Sequence, residues 1–309
     1  MKQESIPVQL IDQLVINWHI TEVCNYHCEY CYAKWHQKDD LRELIHNPEK
    51  SSLLLKKLYE YFQPNNPLNP LSKHLSWNSV RLNIAGGEPT LYKEKLLYIL
   101  KEAKDAGFET SIISNGSQFS DLDFVSSLSN TVSLLGVSID SIHPEVNRII
   151  GREDRKTKQL DMSTLTKALL LAREVNPDIT IKLNSVINHS NYLSDMNTMI
   201  EGLQPDKWKV LRMLPVISDA LMVSDEEFDV FIKRHASVSK FMVVEDNKDM
   251  TESYIMLDPL GRFFQNSPEN KDNTYSYSSS ILSATVDDAF QAINFSAEKF
   301  LGRYSKGSA

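Results

Sequence analysis

The length and charge of the chain already exclude several classes of protein. Its 309 residues suffice for one large α/β domain or two small ones. With 33 Lys and Arg against 41 Asp and Glu, the net charge is -8. This balance argues against an extended surface for a nucleic-acid polymer and leaves room only for a small phosphate pocket.

Targeting signals are also missing from the sequence. No apolar run reaches the roughly 18 residues of a membrane span, and the first residues lack the pattern of a secretory signal. The three cysteines fall within eight residues, so any disulfide would leave one of them unpaired. We therefore expect a cytoplasmic monomer that makes no contact with membranes.

Apolar, β-branched segments alternate with helical segments along most of the chain. We predict strands at 14–20, 80–85, 110–114, 133–140, 179–186 and 207–214, and helices around 51–62, 93–106, 121–129, 161–175 and 192–203. This alternation predicts an α/β fold of parallel βαβ units, closed or half-closed into a barrel. Six units are fewer than the eight of a complete barrel.

The alternation ends near Pro215. A predicted helix near 224–236 is followed by a predicted hairpin of 241–244 and 254–264, with a turn at 259–261. A polar loop at 265–280 and a helical tail from 286 complete the chain. We therefore divide it into a barrel at 1–215 and a C-terminal extension at 216–309 that closes over the substrate site.

Four of the predicted strands have one apolar and one polar face, because side chains alternate between faces along a strand. If the apolar faces pack on the helices, the polar faces line the barrel interior, where a cation needs a partner. The sequence therefore predicts a lumen for a polar, anionic ligand. The alternative is a half-exposed sheet whose polar faces contact water. The polar side chains in question are Asn17, Arg81, Lys182 and Asn184, with Lys209 in the sixth strand.

The cysteines form a C-x3-C-x2-C motif directly after the first strand: Cys24, Cys28 and Cys31. Three thiolates on one short loop can bind three irons of a [4Fe–4S] cubane, because soft sulfur ligands suit such clusters. The fourth iron is then open to the amine and carboxylate of an amino acid. The alternative is a Cys3His zinc site, although zinc motifs usually have two separated ligand pairs. Its fourth ligand would be His19, His27 or His36.

The cysteine motif and the strand pattern resemble the radical S-adenosylmethionine superfamily. A second family element, GGEP, is matched by residues 86–89 at the end of the second strand. The resemblance implies a partial (β/α)6 barrel, a [4Fe–4S] cluster, S-adenosylmethionine and an electron donor such as flavodoxin or ferredoxin. It also implies that S-adenosylmethionine is bound by Tyr30, Gly86, Gly87, Glu88, Ser114, Asn115, Ser138 and Arg152.

The roles of these residues are those of the matching family positions. The aromatic residue at Tyr30 lies near the adenine, and the GGEP segment holds the methionine amino group. The match of Ser114, Asn115 and Ser138 to ribose and carboxylate contacts is less distinctive, and the alternative is that they are capping or turn residues. Since only three cysteines exist, no auxiliary cluster can form.

Over nearly its whole length the chain resembles the viperin family in its bacterial and archaeal form. That family converts a nucleoside triphosphate, CTP in the animal enzyme, into its 3′-deoxy-3′,4′-didehydro analogue. A deoxyadenosyl radical removes the ribose 4′-hydrogen, the 3′-hydroxyl leaves, and a one-electron reduction follows. The resemblance implies CTP or UTP as substrate and a role in antiviral or antiphage defence. The matching segments are 15–19 (VINWH), 24–26 (CNY), 82–89 (LNIAGGEP), 149–152 (IIGR), 181–188 (IKLNSVIN), 207–210 (KWKV), 225–228 (DEEF) and 253–258 (SYIMLD).

The viperin resemblance also assigns catalytic and substrate-binding residues. Tyr254 and Lys182 are the catalytic candidates, with Tyr254 as proton donor to the leaving hydroxyl. Tyr254 could instead be a packed aromatic residue, and Lys271 a solvated charge. Arg152 stands where the family's arginine contacts the cofactor carboxylate. The predicted substrate contacts are Asn17, Arg81, Lys182, Asn184, Lys209 and Lys271.

Two residues depart from the animal protein: Arg81 replaces a lysine, and Ala85 replaces a serine before the GGEP segment. The animal protein's membrane helix and its longer Trp-ended tail are expected to be absent. Two other interpretations stay open at this point. One is a different radical reaction on a small anionic metabolite, and the other is a non-catalytic cluster scaffold. The sequence does not indicate which base the substrate carries.

Overall fold

A computed structural model describes residues 8–33, 42–216, 218–266 and 275–305. The strands are β1 (Gln9–His19), β2 (Leu75–Ala85), β3 (Glu109–Ser114), β4 (Leu134–Ser138), β5 (Thr180–Ile187), β6 (Lys207–Arg212), β7 (Met242–Glu245), β8 (Ile255–Leu257), β9 (Arg262–Asn266) and β10 (Tyr275–Ser280). The helices are α1 (Pro48–Phe62), α2 (Lys93–Ala106), α3 (Leu122–Ser129), α4 (Pro144–Ile150), α5 (Met162–Val175), α6 (Asn197–Leu203), α7 (Asp225–Arg234), α8 (Asn247–Met250), α9 (Val286–Gln291) and α10 (Ala297–Ser305).

Within these ranges the strands form one sheet, in the order β10-β9-β8-β1-β2-β3-β4-β5-β6-β7. All neighbours from β8 through β1 to β7 pair in parallel, whereas β9 and β10 are antiparallel additions at one edge. The sheet is open, as expected for a partial barrel. Because the strands are parallel, their carboxyl ends meet at one edge, where βα barrels carry their chemistry.

Several helices begin at polar residues whose side chains accept from their first backbone N–H groups. Asn47 accepts from the N–H of Lys50 at the start of α1, and Asp121 accepts from the N–H of Phe124 at the start of α3. The apolar strand faces pack against these helices, with Ile16 fully buried in the main core. Among the described residues no helix is long and apolar enough to cross a membrane.

The α/β partial-barrel prediction is confirmed, and each of the six predicted strands is present with shifted ends. The assignment of the late hairpin was wrong. Strand β7 pairs in parallel with β6 rather than with the segment at 254–264. That segment forms a hairpin by itself, because the turn at 259–261 joins β8 to β9.

Candidate functional site

The cysteine loop follows β1 at the carboxyl edge of the sheet and is held by backbone hydrogen bonds on both sides. On one side the N–H of Gly87 donates to the carbonyl of Thr21 (2.7 Å), and the N–H of Glu88 donates to that of Val23 (2.8 Å). On the other side the N–H of His27 donates to the carbonyl of Gly151 (3.1 Å). The loop is therefore fixed by the ends of β2 and α4 before any ligand binds.

Glycine is required at these contacts because the loop backbone passes too close for a side chain. A Cβ on Gly87 would lie 2.3 Å from the carbonyl oxygen of Val23. Gly151 has a φ of +84°, and a Cβ there would lie 2.6 Å from the carbonyl oxygen of His27. The Gly-Gly pair before Glu88 thus serves the docking of the cysteine loop, a role that the sequence pattern did not reveal.

The thiols of the loop suit an iron–sulfur cluster in chemistry and placement. Cys24 is exposed, and Cys28 and Cys31 are half-buried. Burial raises the pKa of the Cys28 thiol to about 12, and the charge of Arg152 opposes this rise. Across the described residues no group of three His, Cys, Asp or Glu side chains is placed to bind a single metal ion. A cubane cluster does not require the three thiolates to converge on one metal ion, since each thiolate binds its own iron.

Glu88 is fully buried and connects the ends of β2 and β3. Its carboxylate accepts hydrogen bonds from the hydroxyl of Ser114 (2.8 Å) and from the N–H groups of Asn115 (2.6 Å) and Thr90 (3.0 Å). Burial raises its pKa, and these hydrogen bonds oppose the rise. The side-chain amide of Asn115 in turn donates to Asn25 in the cysteine loop (3.0 Å). The residues predicted to contact S-adenosylmethionine from β2 and β3 are thus gathered beside the cysteines.

A buried cluster on the other side of the loop joins Tyr30 to Arg152. The guanidinium of Arg152 donates to the Tyr30 hydroxyl (3.0 Å) and lies 3.3 Å from the carboxylate of Asp140. Tyr30 donates to the same carboxylate. Arg152 also donates to the backbone carbonyl of Ser138. Asp140 was not predicted as a site residue, although its place two residues after Ser138 at the end of β4 was visible in the sequence.

A cavity of about 190 Å³ opens beside this cluster, inside the curve of the sheet. Its wall combines residues of β10 and β9 at one edge with residues of β5 and β6 near the other, so the sheet bends around it. Four predicted substrate contacts and the proposed proton donor line it: Asn17, Lys182, Asn184, Lys209 and Tyr254. Tyr30 lines the same space. Lys271 lies outside the described residues.

The cavity wall carries basic side chains, Lys182 and Lys209 among them. Burial lowers the pKa of Lys182 well below its ordinary value, and the nearby charges of Lys209 and Arg81 lower it further. Arg81 is buried and does not line the cavity itself. Within the described residues the Lys182 ammonium makes no hydrogen bond or ion pair. A group of like charges held in this way is stabilised when an anion enters.

Lys209 belongs to a buried cluster that joins β6 to β7, to the residue before β8 and to α10. Its ammonium lies 2.7 Å from the carboxylate of Glu245 and donates to the Tyr254 hydroxyl (2.8 Å). Tyr254 donates to Glu245 as well. Arg303 of α10 donates to Glu245 (3.1 Å), and its guanidinium stacks 3.5 Å from the centre of the Tyr254 ring.

The charges in this cluster set the pKa of each member. Burial opposes ionisation of Glu245, but Lys209 and Arg303 outweigh it and hold the pKa of Glu245 at about 2. Burial also lowers the pKa of Lys209 to about 8 in spite of the Glu245 carboxylate. Burial raises the pKa of Tyr254 well above its ordinary value, so its hydroxyl keeps its proton. Glu245 and Arg303 were not predicted, because nothing in their local sequence connects them.

Two buried polar atoms of the wall lack a hydrogen-bond partner among the described residues: the side-chain oxygens of Asn184 and Asn266. An unpaired buried oxygen costs free energy, so such atoms mark places where a ligand donor fits. Asn17 is different, because its side-chain oxygen accepts from Asn83 (2.9 Å). Asn83 in turn accepts from Ser111 (2.8 Å), which extends the polar row across three strands.

Comparisons with known proteins agree with this geometry. Residues 18–169 match the model of the radical SAM superfamily. The chain is 38% identical over 296 residues to an S-adenosylmethionine-dependent nucleotide dehydratase of Psychrobacter lutiphocae, covering 96% of both chains. It is 39% identical to a protein of the same description from Pseudoalteromonas ulvae, covering 95% of this chain and 94% of that one. The chain belongs to this family of radical SAM proteins.

The fold is shared with solved structures of much lower sequence identity. The solved structure described as native anSMEcpe with bound AdoMet and Cp18Cys peptide aligns with a TM-score of 0.64 at 14% identity, over 95% of this chain and 82% of that one. As a radical SAM enzyme, the protein uses a [4Fe–4S] cluster and S-adenosylmethionine. The cysteine loop and the residues around Glu88 and Arg152 are the part of the fold that fits both.

Proposed function

We propose that the protein removes water from the ribose of a ribonucleoside triphosphate, CTP or UTP, and forms the 3′-deoxy-3′,4′-didehydro analogue. The observation that carries this proposal is the cavity in which Tyr30 of the cysteine loop shares one wall with Lys182, Lys209 and Tyr254. The descriptions of the two relatives as nucleotide dehydratases support it.

The cations of the wall supply the binding energy for the phosphates. A triphosphate carries about four negative charges, and its desolvation has to be offset by several cations or N–H donors. Lys182, Lys209 and the buried Arg81 behind them provide positive charge, and Lys182 has no competing partner in the described residues. We assign Asn17 and Asn184 to the sugar or base and extend the phosphate site to Lys271.

The leaving 3′-hydroxyl needs a proton, and we assign its donation to Tyr254. The raised pKa of Tyr254 keeps its hydroxyl protonated at neutral pH. Lys209 donates to the same oxygen, so its ammonium stabilises the phenolate that forms after the proton has left. The hydroxyl must rotate away from Glu245 to reach the substrate, and the stacked guanidinium of Arg303 holds the ring in place during this rotation.

We assign the cluster to Cys24, Cys28 and Cys31, and the cofactor contacts to Tyr30, Gly86, Gly87, Glu88, Ser114, Asn115, Ser138 and Arg152. When bound, the cluster and S-adenosylmethionine supply a 5′-deoxyadenosyl radical. The chain's part is to hold the loop rigidly beside the cavity. We further propose that the protein acts as a monomer in the cytoplasm. In the division that we propose, the extension at 216–309 contributes Glu245, Tyr254 and Arg303 to the wall.

Anaerobic incubation with CTP, UTP, GTP and ATP in turn tests the proposal. Mass spectrometry should detect loss of one water from CTP or UTP, together with 5′-deoxyadenosine. The Cys28→Ala variant should produce neither compound. The proposal fails if the wild-type protein cleaves S-adenosylmethionine but leaves every triphosphate intact.

A further inference from the structure

A buried amide, Asn266, stands at the end of β9 in the wall of the cavity. The residue is only 8% exposed, and its side-chain oxygen has no hydrogen-bond partner in the described part of the chain. A buried acceptor of this kind costs free energy until a donor reaches it. Asn266 therefore marks a place in the cavity where a donor group of the ligand fits.

The strand register places Asn266 beside Tyr254. Strands β8 and β9 are antiparallel and pair Leu257 with Phe263. The same register, carried three residues further, sets Tyr254 opposite Asn266. The side-chain amide of Gln265 donates to the carbonyl of Tyr254 (3.0 Å), which shows that the two segments are adjacent there. Opposed residues of antiparallel strands point to the same face, and Tyr254 and Asn266 both line the cavity.

The hydroxyl groups on both sides of Asn266 are engaged with other residues. On one side, the Tyr254 hydroxyl donates to the carboxylate of Glu245. On the other side, Asn266 pairs with Tyr275 of β10, and the Tyr275 hydroxyl donates to the backbone carbonyl of Tyr32 (3.2 Å). The oxygen of Asn266 is therefore left for a donor of the ligand.

The chemistry of a nucleotide limits which of its groups can meet this oxygen. Ionised phosphates offer only acceptors, so they cannot donate to it. The ribose offers two hydroxyl donors, which stand on neighbouring carbons and on the same face of the ring, whereas the base projects from the opposite face. When the 3′-hydroxyl lies at Tyr254, the residue beside Tyr254 on the same wall meets the 2′-hydroxyl.

We propose that Asn266 accepts a hydrogen bond from the 2′-hydroxyl of the substrate and thereby selects ribonucleotides over 2′-deoxyribonucleotides. The inference rests on the proposed function, since it takes the 3′-hydroxyl to lie at Tyr254. A site that pairs a substrate hydroxyl disfavours the analogue without it, because its own buried oxygen then stays unpaired. The same contact holds the ribose ring at the carbon next to the one that loses its hydroxyl.

Binding of matched ligands tests this contact without turnover. Reconstituted protein with S-adenosylmethionine and no reductant is titrated with CTP, 2′-deoxy-CTP and 3′-deoxy-CTP, and with the three UTP counterparts. The wild type should bind the ribonucleotide at least about tenfold more tightly than the 2′-deoxy analogue. Asn266→Leu keeps the branched shape of the side chain and removes its polar atoms. This variant should bind the two ligands equally tightly and should keep the wild-type preference over the 3′-deoxy analogue.

The matched control is Asn184→Leu, because Asn184 also lines the cavity and its side-chain oxygen has no partner among the described residues. The control should keep the wild-type preference for the 2′-hydroxyl. Thermal unfolding without ligand shows whether each variant is folded, and Asn266→Ala repeats the comparison if Asn266→Leu is not. A wild type without preference for the 2′-hydroxyl, or an Asn266 variant that keeps the full preference, would overturn the role of Asn266.

A competition reaction separates this inference from the proposed function. The wild type is incubated with dithionite and equal amounts of CTP and 2′-deoxy-CTP, and mass spectrometry measures both dehydrated products. Equal formation of the two products would refute the selection by Asn266 and leave the proposed function intact. Tighter binding of the ribonucleotide without any dehydrated product would refute the proposed function and leave the 2′-hydroxyl contact intact.

Discussion

Single residues decide the chemistry of the cavity, and Tyr254 is the one to which we assign the proton transfer. Replacing it with Phe keeps the ring that stacks on Arg303 and removes only the hydroxyl. We expect Tyr254→Phe to form the dehydrated nucleotide about 10²- to 10⁴-fold more slowly, while 5′-deoxyadenosine still appears. Chromatography of both products from one reaction measures this uncoupling.

The matched control for this change is Tyr61→Phe. Tyr61 also loses one hydrogen bond, to Asp287, but lies outside the cavity. The control should form the nucleotide product at the wild-type rate. Undiminished product formation by Tyr254→Phe would remove this tyrosine from the reaction.

Glu245 determines how far Lys209 stays charged as the pH rises. In the variant Glu245→Gln the favourable carboxylate is lost, so the pKa of Lys209 should fall further below about 8. A protonated Lys209 is needed for phosphate binding, and activity is lost as the pH rises through its pKa. The alkaline limb of kcat/KM against pH should therefore move at least about one pH unit lower.

The same variant should be less stable, because it leaves two cations beside a buried neutral amide. Removing one partner of a buried ion pair costs about 3–5 kcal/mol of the free energy of unfolding. The control is Asp225→Asn, which breaks the ion pair between Asp225 and Arg212. Because the Asp225 side chain is 86% exposed, this change should lower the free energy of unfolding by at most about 1 kcal/mol. Urea unfolding at a pH below the pKa of Lys209 measures the free energy of unfolding of both variants. Equal losses of stability in the two variants would contradict the assigned role of Glu245.

The site residues that the sequence could identify are those whose side-chain direction is set by the alternation along their own strand. Lys182 and Asn184 alternate with fully buried Ile181 and Leu183, so their placement on the cavity wall followed from the strand period alone. Glu245 and Arg303 meet only because β7 and α10 come together in the folded chain. No local pattern records such a contact, and the buried cluster was therefore missed.

At the scale of elements, the cysteine loop depends on the residue that ends α4. Gly151 combines a positive φ with a backbone contact to His27, so a side chain there is strained twice. We expect Gly151→Ala to displace the loop and to lower the iron bound per chain after reconstitution to less than half. Iron analysis and thermal unfolding of the same sample measure the effect.

Gly202 provides the matched control, because a Cβ at this position in α6 meets no atom within 4 Å. Gly202→Ala should bind wild-type amounts of iron and should be as stable as the wild type or more stable by about 1 kcal/mol. Normal iron content in Gly151→Ala would show that the loop does not need this close contact.

Elements with their own periodicity were predictable, and the pairing of the late strands was not. Strands β1 to β6 alternate with helices, and a right-handed crossover leaves few ways to arrange such units. The short strand β7 carries no signal for its neighbour. It adds to β6 at one edge of the sheet, whereas β8 adds to β1 on the other side. Chain proximity suggested a hairpin instead.

At the scale of the whole molecule, the fold holds basic side chains in the cavity without enough counter-charge. An anionic ligand that binds there should therefore stabilise the folded protein. Lys182 shows this most directly, because burial and neighbouring cations both lower its pKa. A lysine with a lowered pKa binds fewer protons in the folded than in the unfolded chain. In the range between the two pKa values, the free energy of unfolding of the ligand-free protein should therefore rise with pH.

Replacing this lysine should stabilise the empty protein and weaken the binding of its ligand. We expect Lys182→Met to raise the free energy of unfolding without ligand by about 1–3 kcal/mol, because a buried amine without a hydrogen-bond partner in the described residues is replaced by a hydrophobic side chain. The affinity for CTP or UTP should fall about 10- to 100-fold, which corresponds to one lost hydrogen bond to a charged group. Lys240→Met, an exposed change outside the cavity, should alter neither quantity.

The number of protons taken up when the triphosphate binds tests the role of Lys182 directly. Bound phosphates raise the pKa of Lys182, so the triphosphate binds with uptake of protons, and its affinity falls as the pH rises above the lowered pKa. Calorimetry in two buffers of different ionisation enthalpy measures this uptake, which should be smaller in Lys182→Met than in the wild type. A Lys182→Met variant that is less stable than the wild type, yet binds the triphosphate with unchanged affinity and proton uptake, would show that Lys182 does not contact the bound phosphates.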